Sequence, residues 1–300
     1  MIFPCFWKKK NEPTSELDLE LENYRDKLEE RNLPVFYSIN HLCLAASVNV
    51  DRTFKICESD RIKSYKRFKL TKKRGGYRVI QSPISELKYL QRWILINILS
   101  KIESHKSSCG FDKGKSIAQN ANVHVGARAI LKMDLKRFYD TINEKRVYGI
   151  FKAMGYHSNL SVSLAKICTV NPDDNLINSF KIGEDEIKDF ILNRDEGLLP
   201  QGAPTSPKIS NLIARSLDRR LSGLAEKNNL KYSRYADDLT FSGNISELKA
   251  IKKTVKHIIK DEHFFVNNSK TRIIVTIQGA RSPVSLKIRI FSRDFLRTLG

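Results

Sequence analysis

Tyr235-Ala236-Asp237-Asp238, with Tyr232-Ser233-Arg234 before it and Leu239-Thr240-Phe241-Ser242 after it, decides the fold. Residues 232–242 read as two short strand-like arms around a tip that carries two adjacent carboxylates. Adjacent carboxylates repel, and a fold seldom keeps them without a counter-charge. A divalent cation is one such counter-charge, and hard oxygen ligands are what Mg²⁺ prefers; a solvated turn is the other reading of an isolated Asp-Asp pair. Strand alternation aims only one of the two directly at a metal, so a further carboxylate must come from a neighbouring strand.

Asp134 can supply it. Ala129, Leu131 and Met133 point one way and Ile130, Lys132 and Asp134 the other, so Asp134 is expected to end a half-buried strand. Three such carboxylates holding two ions about 3.5–4 Å apart would activate a 3′-hydroxyl and stabilise a pyrophosphate leaving group. After Asp134, the residues Leu135, Phe138, Tyr139 and Ile142 follow helical spacing. A second helix is predicted from Ser206-Pro207 through Leu221, with Ser206 as its cap. A third follows Ser246, again read as a cap, with Leu248, Ile251, Val255 and Ile258 inward. Its lysines 249, 252, 253, 256 and 260 point outward, most simply as a solvated face. Upstream, 13–31 reads as an acidic amphipathic helix attached to the main body, and 35–60 as helical. Tyr65 to Pro83 reads as a basic β-hairpin with Gly75-Gly76 at its tip, and Leu87 to Ile98 as a buried helix. The order describes an α+β fold with helices on one face of a sheet.

With 300 residues, 41% hydrophobic and 29% charged, the chain can build a substantial core. Its 53 Lys+Arg against 33 Asp+Glu give a net charge of +20, which points to a polyanionic partner. No apolar run is long enough to span a membrane as a helix, and Met1–Trp7 lacks the pattern of a signal peptide. Cys5, Cys43, Cys57, Cys109 and Cys168 are scattered and form no C-x-x-C pair, which argues against a zinc site and a disulfide framework. A soluble, cytoplasmic protein is the expectation. Nucleotide-binding G-x-x-x-x-G-K-[ST], hydrolase G-x-S-x-G and metalloprotease H-E-x-x-H patterns do not occur.

Met133-Asp134-Leu135 with Phe138-Tyr139, then Gln201-Gly202-Ala203-Pro204-Thr205-Ser206-Pro207, then Tyr235 to Asp238, occur in that order. Together they resemble the A, B and C motifs of the reverse transcriptase palm. Lys270, in Asn268-Ser269-Lys270-Thr271, looks like the D motif that follows. Asn120-Ala121-Asn122-Val123-His124 is similar to the N-A-x-x-H element of retron reverse transcriptases, preceded by Gly110-Phe111 and Gly114-Lys115-Ser116-Ile117. The resemblance implies a right-hand polymerase fold: an N-terminal helical extension (1–60), fingers (61–126), a palm (127–275, with an insertion about 155–200) and a reduced or truncated thumb (276–300). Where the family carries V-T-G, this chain reads Pro283-Val284-Ser285-Leu286.

It also implies a chemistry. A retron enzyme copies its own cognate non-coding RNA from dNTPs and primes from a guanosine 2′-hydroxyl to give branched msDNA. It acts with an effector protein in bacterial anti-phage defence. Asp134, Asp237 and Asp238 would hold Mg²⁺, two ions per site, and Tyr139 would be a steric gate against ribonucleotides or plain core. Gln201 and Gly202 would sit beside the incoming nucleotide, or form a mere loop before a helix. Lys73 and Arg78 would grip the triphosphate, and Lys270 would protonate pyrophosphate or be an ordinary surface lysine. Asn120, Ala121 and His124 read as structural or RNA-contacting. A group II intron-like reverse transcriptase and a catalytically idle, basic RNA-binding scaffold are the alternatives.

Overall fold

A computed structural model describes residues 15–58, 61–71, 77–192 and 196–275. Lys73, the Gly75-Gly76 tip, Cys5 and the 276–300 region lie outside the described residues. The chain begins with α1 (Glu16–Glu30), α2 (Ile39–Ala45), α3 (Val50–Glu58), β1 (Tyr65–Thr71), β2 (Tyr77–Pro83), α4 (Ser85–Asn97) and α5 (Ile117–Val123). It continues with β3 (Ala129–Lys136), α6 (Glu144–Met154), α7 (Ser158–Cys168), α8 (Asp174–Ile177), α9 (Asp185–Leu192), α10 (Ser206–Ile213) and α11 (Arg215–Lys227). The last elements are β4 (Lys231–Tyr235), β5 (Asp238–Gly243), α12 (Ile245–Asp261), β6 (Phe265–Val266) and β7 (Arg272–Val275).

β1 and β2 pair as an antiparallel hairpin, Tyr65 opposite Pro83 and Thr71 opposite Tyr77. The main sheet has the order β4-β5-β3-β6, and β7 also pairs with β3. β3 is thus central, with β5 on one side and β6 and β7 on the other. Its register sets two faces. Ala129, Leu131, Met133 and Leu135 join Leu239 and Phe241 in the apolar core, where Leu131, Leu239 and Phe241 are fully buried. Asp134, Asp238, Thr240, Ser242 and Ser233 share the polar face. Pairing on both sides also explains why Asp134 ends neither the strand nor a half-buried one: β3 runs on to Lys136, and both its faces are largely covered.

Five further expectations are corrected. The helix predicted from Leu135 to Ile142 is replaced by the end of β3 and a run of turns in which Arg137 has φ +51°. Leu135 N–H donates to the Asp237 carbonyl (2.8 Å), and Leu135 and Lys136 pair with β6. These long-range bonds override the local helical spacing, although Phe138 and Ile142 still reach the core. The helix from Ser206 to Leu221 breaks at Ala214 into α10 and α11. The break lays α11 along β4.

Neither serine is a cap. The Ser206 hydroxyl lies in the first helical turn and donates to the Pro200 carbonyl (2.7 Å), and Ser246 lies inside α12, where Asn244 is the cap residue. Helix α1 is part of the body. Tyr24 and Leu28 belong to the main core, Tyr24 Oη donates to the Phe36 carbonyl (2.6 Å), and Arg31 Nη1 donates to the Ala153 carbonyl (2.6 Å). Only half of its expected stripe is buried, for Leu17 and Leu21 stay exposed.

Helix α5 covers part of the polar face, so helices are not confined to one side of the sheet. Ser116 caps it by accepting from the Gln119 amide (3.2 Å), and Asn120 and Ala121 are buried. His124, also buried, contacts Ser242 Oγ through Nδ1 (2.7 Å) and Ser233 Oγ through Nε2 (2.6 Å). Ser233 gives its one hydroxyl proton to Asn120 Oδ1 (2.6 Å), so His124 Nε2 must carry the proton donated to Ser233. Nδ1 then accepts from Ser242. Asn120 and His124 of the N-A-x-x-H element therefore bind the β4–β5 hairpin, and with Ala121 they are turned away from solvent.

Burial, helped by Lys231 and Lys132, lowers the His124 pKa to about 4. The unfolded value is about 6.5. A depressed folded value means that the unfolded chain takes up the proton first as pH falls. Stability from this site is full above about pH 6.5 and declines toward pH 4, by about 2–3 kcal/mol in all. Urea unfolding of the wild type and His124→Asn should therefore show a stability gap that narrows steadily from pH 7 to pH 4.5. A gap that stays constant over this range contradicts the assignment of a neutral, doubly bonded imidazole.

Candidate active site

The β4–β5 turn is tight because Ala236 adopts φ +53°, a left-handed conformation uncommon for a residue with a Cβ. Tyr235 and Asp238 close the β4–β5 ladder, and Asp238 lies directly opposite Asp134 on β3. The three acidic residues are thereby brought to one end of the polar face. Asp134 is buried, and its carboxylate is engaged: Asn267 Nδ2 donates to Oδ1 (2.9 Å) and Lys270 Nζ to Oδ2 (2.7 Å). The Asn267 amide also donates to the Asp134 carbonyl (2.8 Å). Lys270 is thus placed at the site by a short helical turn, Asn268–Lys270, that follows β6.

Burial, then the charges of Asp238 and Asp134, raise the Asp237 carboxyl to about 7, with Lys270 partly opposing them. Burial works against the Lys270 ammonium, but the bond to Asp134 and the charges of all three carboxylates outweigh it, and its pKa is raised. Among the described residues, no group of three His, Cys, Asp or Glu side chains is already arranged to hold an ion. The two Asp134 oxygens are engaged by Asn267 and Lys270. The donor chemistry nevertheless suits a hard cation: clustered carboxylate oxygens, one raised far above the usual carboxylate range by its neighbours, with a lysine as counter-charge.

Tyr139 lies in the turns after β3, its ring packed edge-on against Phe138 at 5.6 Å. Burial, then the Asp237 charge, raises its pKa, while Ser210, Arg234 and Arg78 act in the opposite direction. The ring is therefore partly core and partly beside Asp237. Arg78 is exposed on β2 and near enough to act on Tyr139. Gln201 and Gly202 do something the sequence did not suggest: the Gln201 carbonyl accepts from the Gln81 amide of β2 (2.8 Å). Gly202 has φ +131°, and a Cβ there would come within 2.9 Å of both the Gln81 carbonyl oxygen and Ile80 Cγ2. The close backbone approach that glycine permits here is to the chain's own hairpin.

Arg234 and Asp218 escaped the sequence reading, and they support the turn. Arg234, fully buried, forks onto Asp218 with Nε to Oδ1 (2.8 Å) and Nη2 to Oδ2 (2.7 Å). Its Nη1 donates to the Ala236 carbonyl (3.0 Å) and to Asn211 Oδ1 (3.0 Å). Tyr232 Oη adds a bond to Asp218 (2.8 Å). Asn211 in turn donates to the Gly110 carbonyl (2.8 Å), and Lys208 of the same helix pairs with Asp112 (2.5 Å). The signal available was an arginine at an inward strand position: Arg234 stands opposite the apolar Leu239.

Residues 70–289 match the family model described as reverse transcriptase (RNA-dependent DNA polymerase). The chain is 35% identical over 276 residues to the Retron Ec86 reverse transcriptase of Escherichia coli, spanning 89% of this chain and 75% of that protein. It is 36% identical over 234 residues to the Retron Mx65 reverse transcriptase of Myxococcus xanthus, spanning 77% of this chain and 53% of that protein. Among solved structures, apo telomerase from Candida tropicalis aligns with a TM-score of 0.44 at 17% identity, over 74% of this chain and 52% of that one.

Asp218→Asn leaves the Arg234 charge buried without its partner and should destabilise the fold by about 3–5 kcal/mol. Replacing both, Arg234→Met with Asp218→Leu, should cost less than Asp218→Asn alone, because no orphan charge remains. Chemical denaturation of the variants checks the order; a double variant less stable than Asp218→Asn contradicts the charge argument.

Proposed function

The chain belongs to the retron reverse transcriptases, and from that membership we propose that it is an RNA-directed DNA polymerase copying a cognate structured non-coding RNA from dNTPs. The observation that carries the proposal is the register of β3 against β5, which sets Asp134 opposite Asp238 beside the Asp237 turn. In this reading Asp134, Asp237 and Asp238 hold Mg²⁺, two ions per site, and Asp134 exchanges Lys270 for an ion. When bound, the ions supply a lowered pKa for the attacking 3′-hydroxyl and charge stabilisation for the leaving pyrophosphate. Tyr139, buried beside Asp237, excludes a ribose 2′-hydroxyl from the space next to the carboxylates. Arg78 binds triphosphate oxygens through its guanidinium fork, and Lys73 adds a point charge from the same hairpin. Lys270, held within reach of the carboxylates, is the proton donor to pyrophosphate.

The finer reading rests on the retron names of the relatives. Priming from a guanosine 2′-hydroxyl, a branched msDNA product, an effector protein partner and a role in anti-phage defence are parts of the same proposal. No helix among the described residues is long and apolar enough to cross a membrane, and a cytoplasmic location is proposed with the rest. A catalytically idle RNA-binding scaffold is favoured by one observation, the Lys270 ammonium sitting on Asp134.

Labelled-nucleotide extension of a DNA primer on an RNA template separates the two readings. The wild type should incorporate deoxynucleotides only when Mg²⁺ is present, and Asp237→Asn should lose at least about a thousandfold in rate, the several kcal/mol that a metal ligand supplies. Incorporation by Asp237→Asn at the wild-type rate, with folding matched, overturns the polymerase reading. Tyr139→Ala should raise ribonucleotide use relative to deoxynucleotide use by about 10–100-fold, the worth of one steric contact. An unchanged ratio returns Tyr139 to the core alone.

A further inference from the structure

On the opposite side of α11 from the sheet, the chain forms an open cleft of about 510 Å³ between α6, the α10–α11 junction and the loop at His105. Leu217, Asp218 and Leu221 of α11 are buried toward β4, so Arg215 and Arg219, both exposed, lie away from the Asp134 face. With Arg146 and His105 they make the cleft's polar lining. Leu212 and Ile213, nearly fully buried, and the half-buried Ile150 give it an apolar floor.

We infer that this cleft is a binding site for a single-stranded segment of RNA, its phosphates on Arg215 and Arg219 and a base or ribose on the apolar floor. The inference rests on the reading that the chain acts on RNA. Four observations carry it. Arg215 and Arg219 stand one turn apart on one helix, where like charges repel, and neither has an acidic partner among the described residues. Of the carboxylates beside this helix, Asp218 is taken by Arg234 (2.7 Å), and Glu262 is bonded to Arg220 (3.0 Å) and Ser216 (3.0 Å). Arg146 is fixed at the edge, donating to the Glu262 carbonyl (3.2 Å) and lying over the Phe264 ring at 4.6 Å. Gly149 is the fourth: it is exposed inside α6, one turn from Arg146, with nothing within 4 Å of where its Cβ would be. A glycine inside a helix lowers its stability, and packing does not demand one here; open space above the floor is what it provides.

The volume falls within the ~300–1,000 Å³ of sites that hold small organic ligands. Guanidinium forks match phosphate oxygens, and an unstacked base covers apolar floor that a duplex, presenting only outer phosphates, would leave bare. His105 accepts the Ser107 amide at Nδ1 (3.2 Å), which leaves Nε2–H as a neutral donor at the rim. A carboxylate-rich protein segment suits the arginines but has no claim on the floor.

Fluorescence anisotropy of the full chain with a labelled 12-nucleotide oligouridylate tests the site. Arg215→Ala with Arg219→Ala should weaken binding about five- to tenfold near 0.1 M salt and make the log–log salt slope shallower by about 1.4, for two lost phosphate contacts. Gly149→Leu, which fills the cleft without removing charge, should weaken binding to a similar extent and leave the slope unchanged. Lys249→Ala with Lys253→Ala, the same charge removed from the solvated face of α12, should change affinity less than twofold. Primer extension on a preformed short primer–template should stay within about twofold in all of these variants. Unchanged affinity in Gly149→Leu, or an equal loss in the lysine pair, overturns the inference. So does a labelled polyglutamate whose binding depends on the arginine pair while that of RNA does not. A wild type that binds RNA in the expected pattern yet extends no primer supports the cleft and overturns the polymerase reading instead.

Discussion

The bidentate pair of Arg234 and Asp218, neither of which has any side-chain exposure, governs the geometry of the acidic end of the sheet. A hydrogen bond in the β4–β5 ladder is worth about 1 kcal/mol net, whereas an orphaned buried charge costs about 3–5 kcal/mol. The guanidinium therefore cannot leave Asp218 cheaply, and its remaining donor falls on the Ala236 carbonyl, one residue before Asp237. That bond helps hold Ala236 in its left-handed conformation, which a non-glycine residue adopts at a cost. The turn is set from inside the core, and the two aspartates are carried on it.

The other half of the site is electrostatic. Asp134, Asp237 and Asp238 crowd one end of a face on which Ser233, Thr240 and Ser242 are uncharged and the lysines, Lys132 and Lys231, stand opposite Thr240 and Ser242 further along. At an effective dielectric of about 20, two unit charges 4 Å apart interact by about 4 kcal/mol. This is enough to account for an Asp237 carboxyl raised to about 7 once burial is added. Lys270 relieves the crowding incompletely. Its side chain is 57% exposed, and an ion pair that exposed is weakly held. Such a counter-charge can be exchanged for a stronger one at little cost, and the metal-binding reading proposed above requires that exchange.

Much of this was legible in the sequence, and the failures have a common cause. The β4–β5 hairpin, the β1–β2 hairpin, the strand leading to Asp134 and the helix of Leu248, Ile251, Val255 and Ile258 follow from patterns a few residues long. What could not be read depends on partners distant in the chain. Leu135 to Ile142 has good helical spacing, yet Leu135 is bonded to Asp237 and Val266, 102 and 131 positions away in sequence. Ser206 and Ser246 have the right residue type for caps, but a hydroxyl takes the best acceptor in space, and for Ser206 that is Pro200. Arg234 received no reading of its own; its place opposite Leu239 was the one signal, and its partner Asp218 stands 16 positions away on another element. His124 was expected to be structural or RNA-contacting, and two serines on different strands decide between these.

The Gln201-Gly202 joint positions the β1–β2 hairpin through the backbone alone. Strand alternation puts Arg78 and Ile80 on the same side of β2, and Ile80 Cγ2 is one of the atoms that a Cβ at position 202 would strike. The Gln81 amide, bonded to the Gln201 carbonyl, fixes where along β2 this contact is made. Arg78 therefore reaches the neighbourhood of Tyr139 and Asp237 because β2 rests directly on the loop before α10, with no side chain between. A larger residue at 202 would have to adopt a left-handed φ and push β2 outward. The arginine would move with the strand, while the carboxylates, anchored from the core by Arg234, would stay. The spacing between Arg78 and the acidic cluster is thus set by a glycine on one side and a buried arginine on the other.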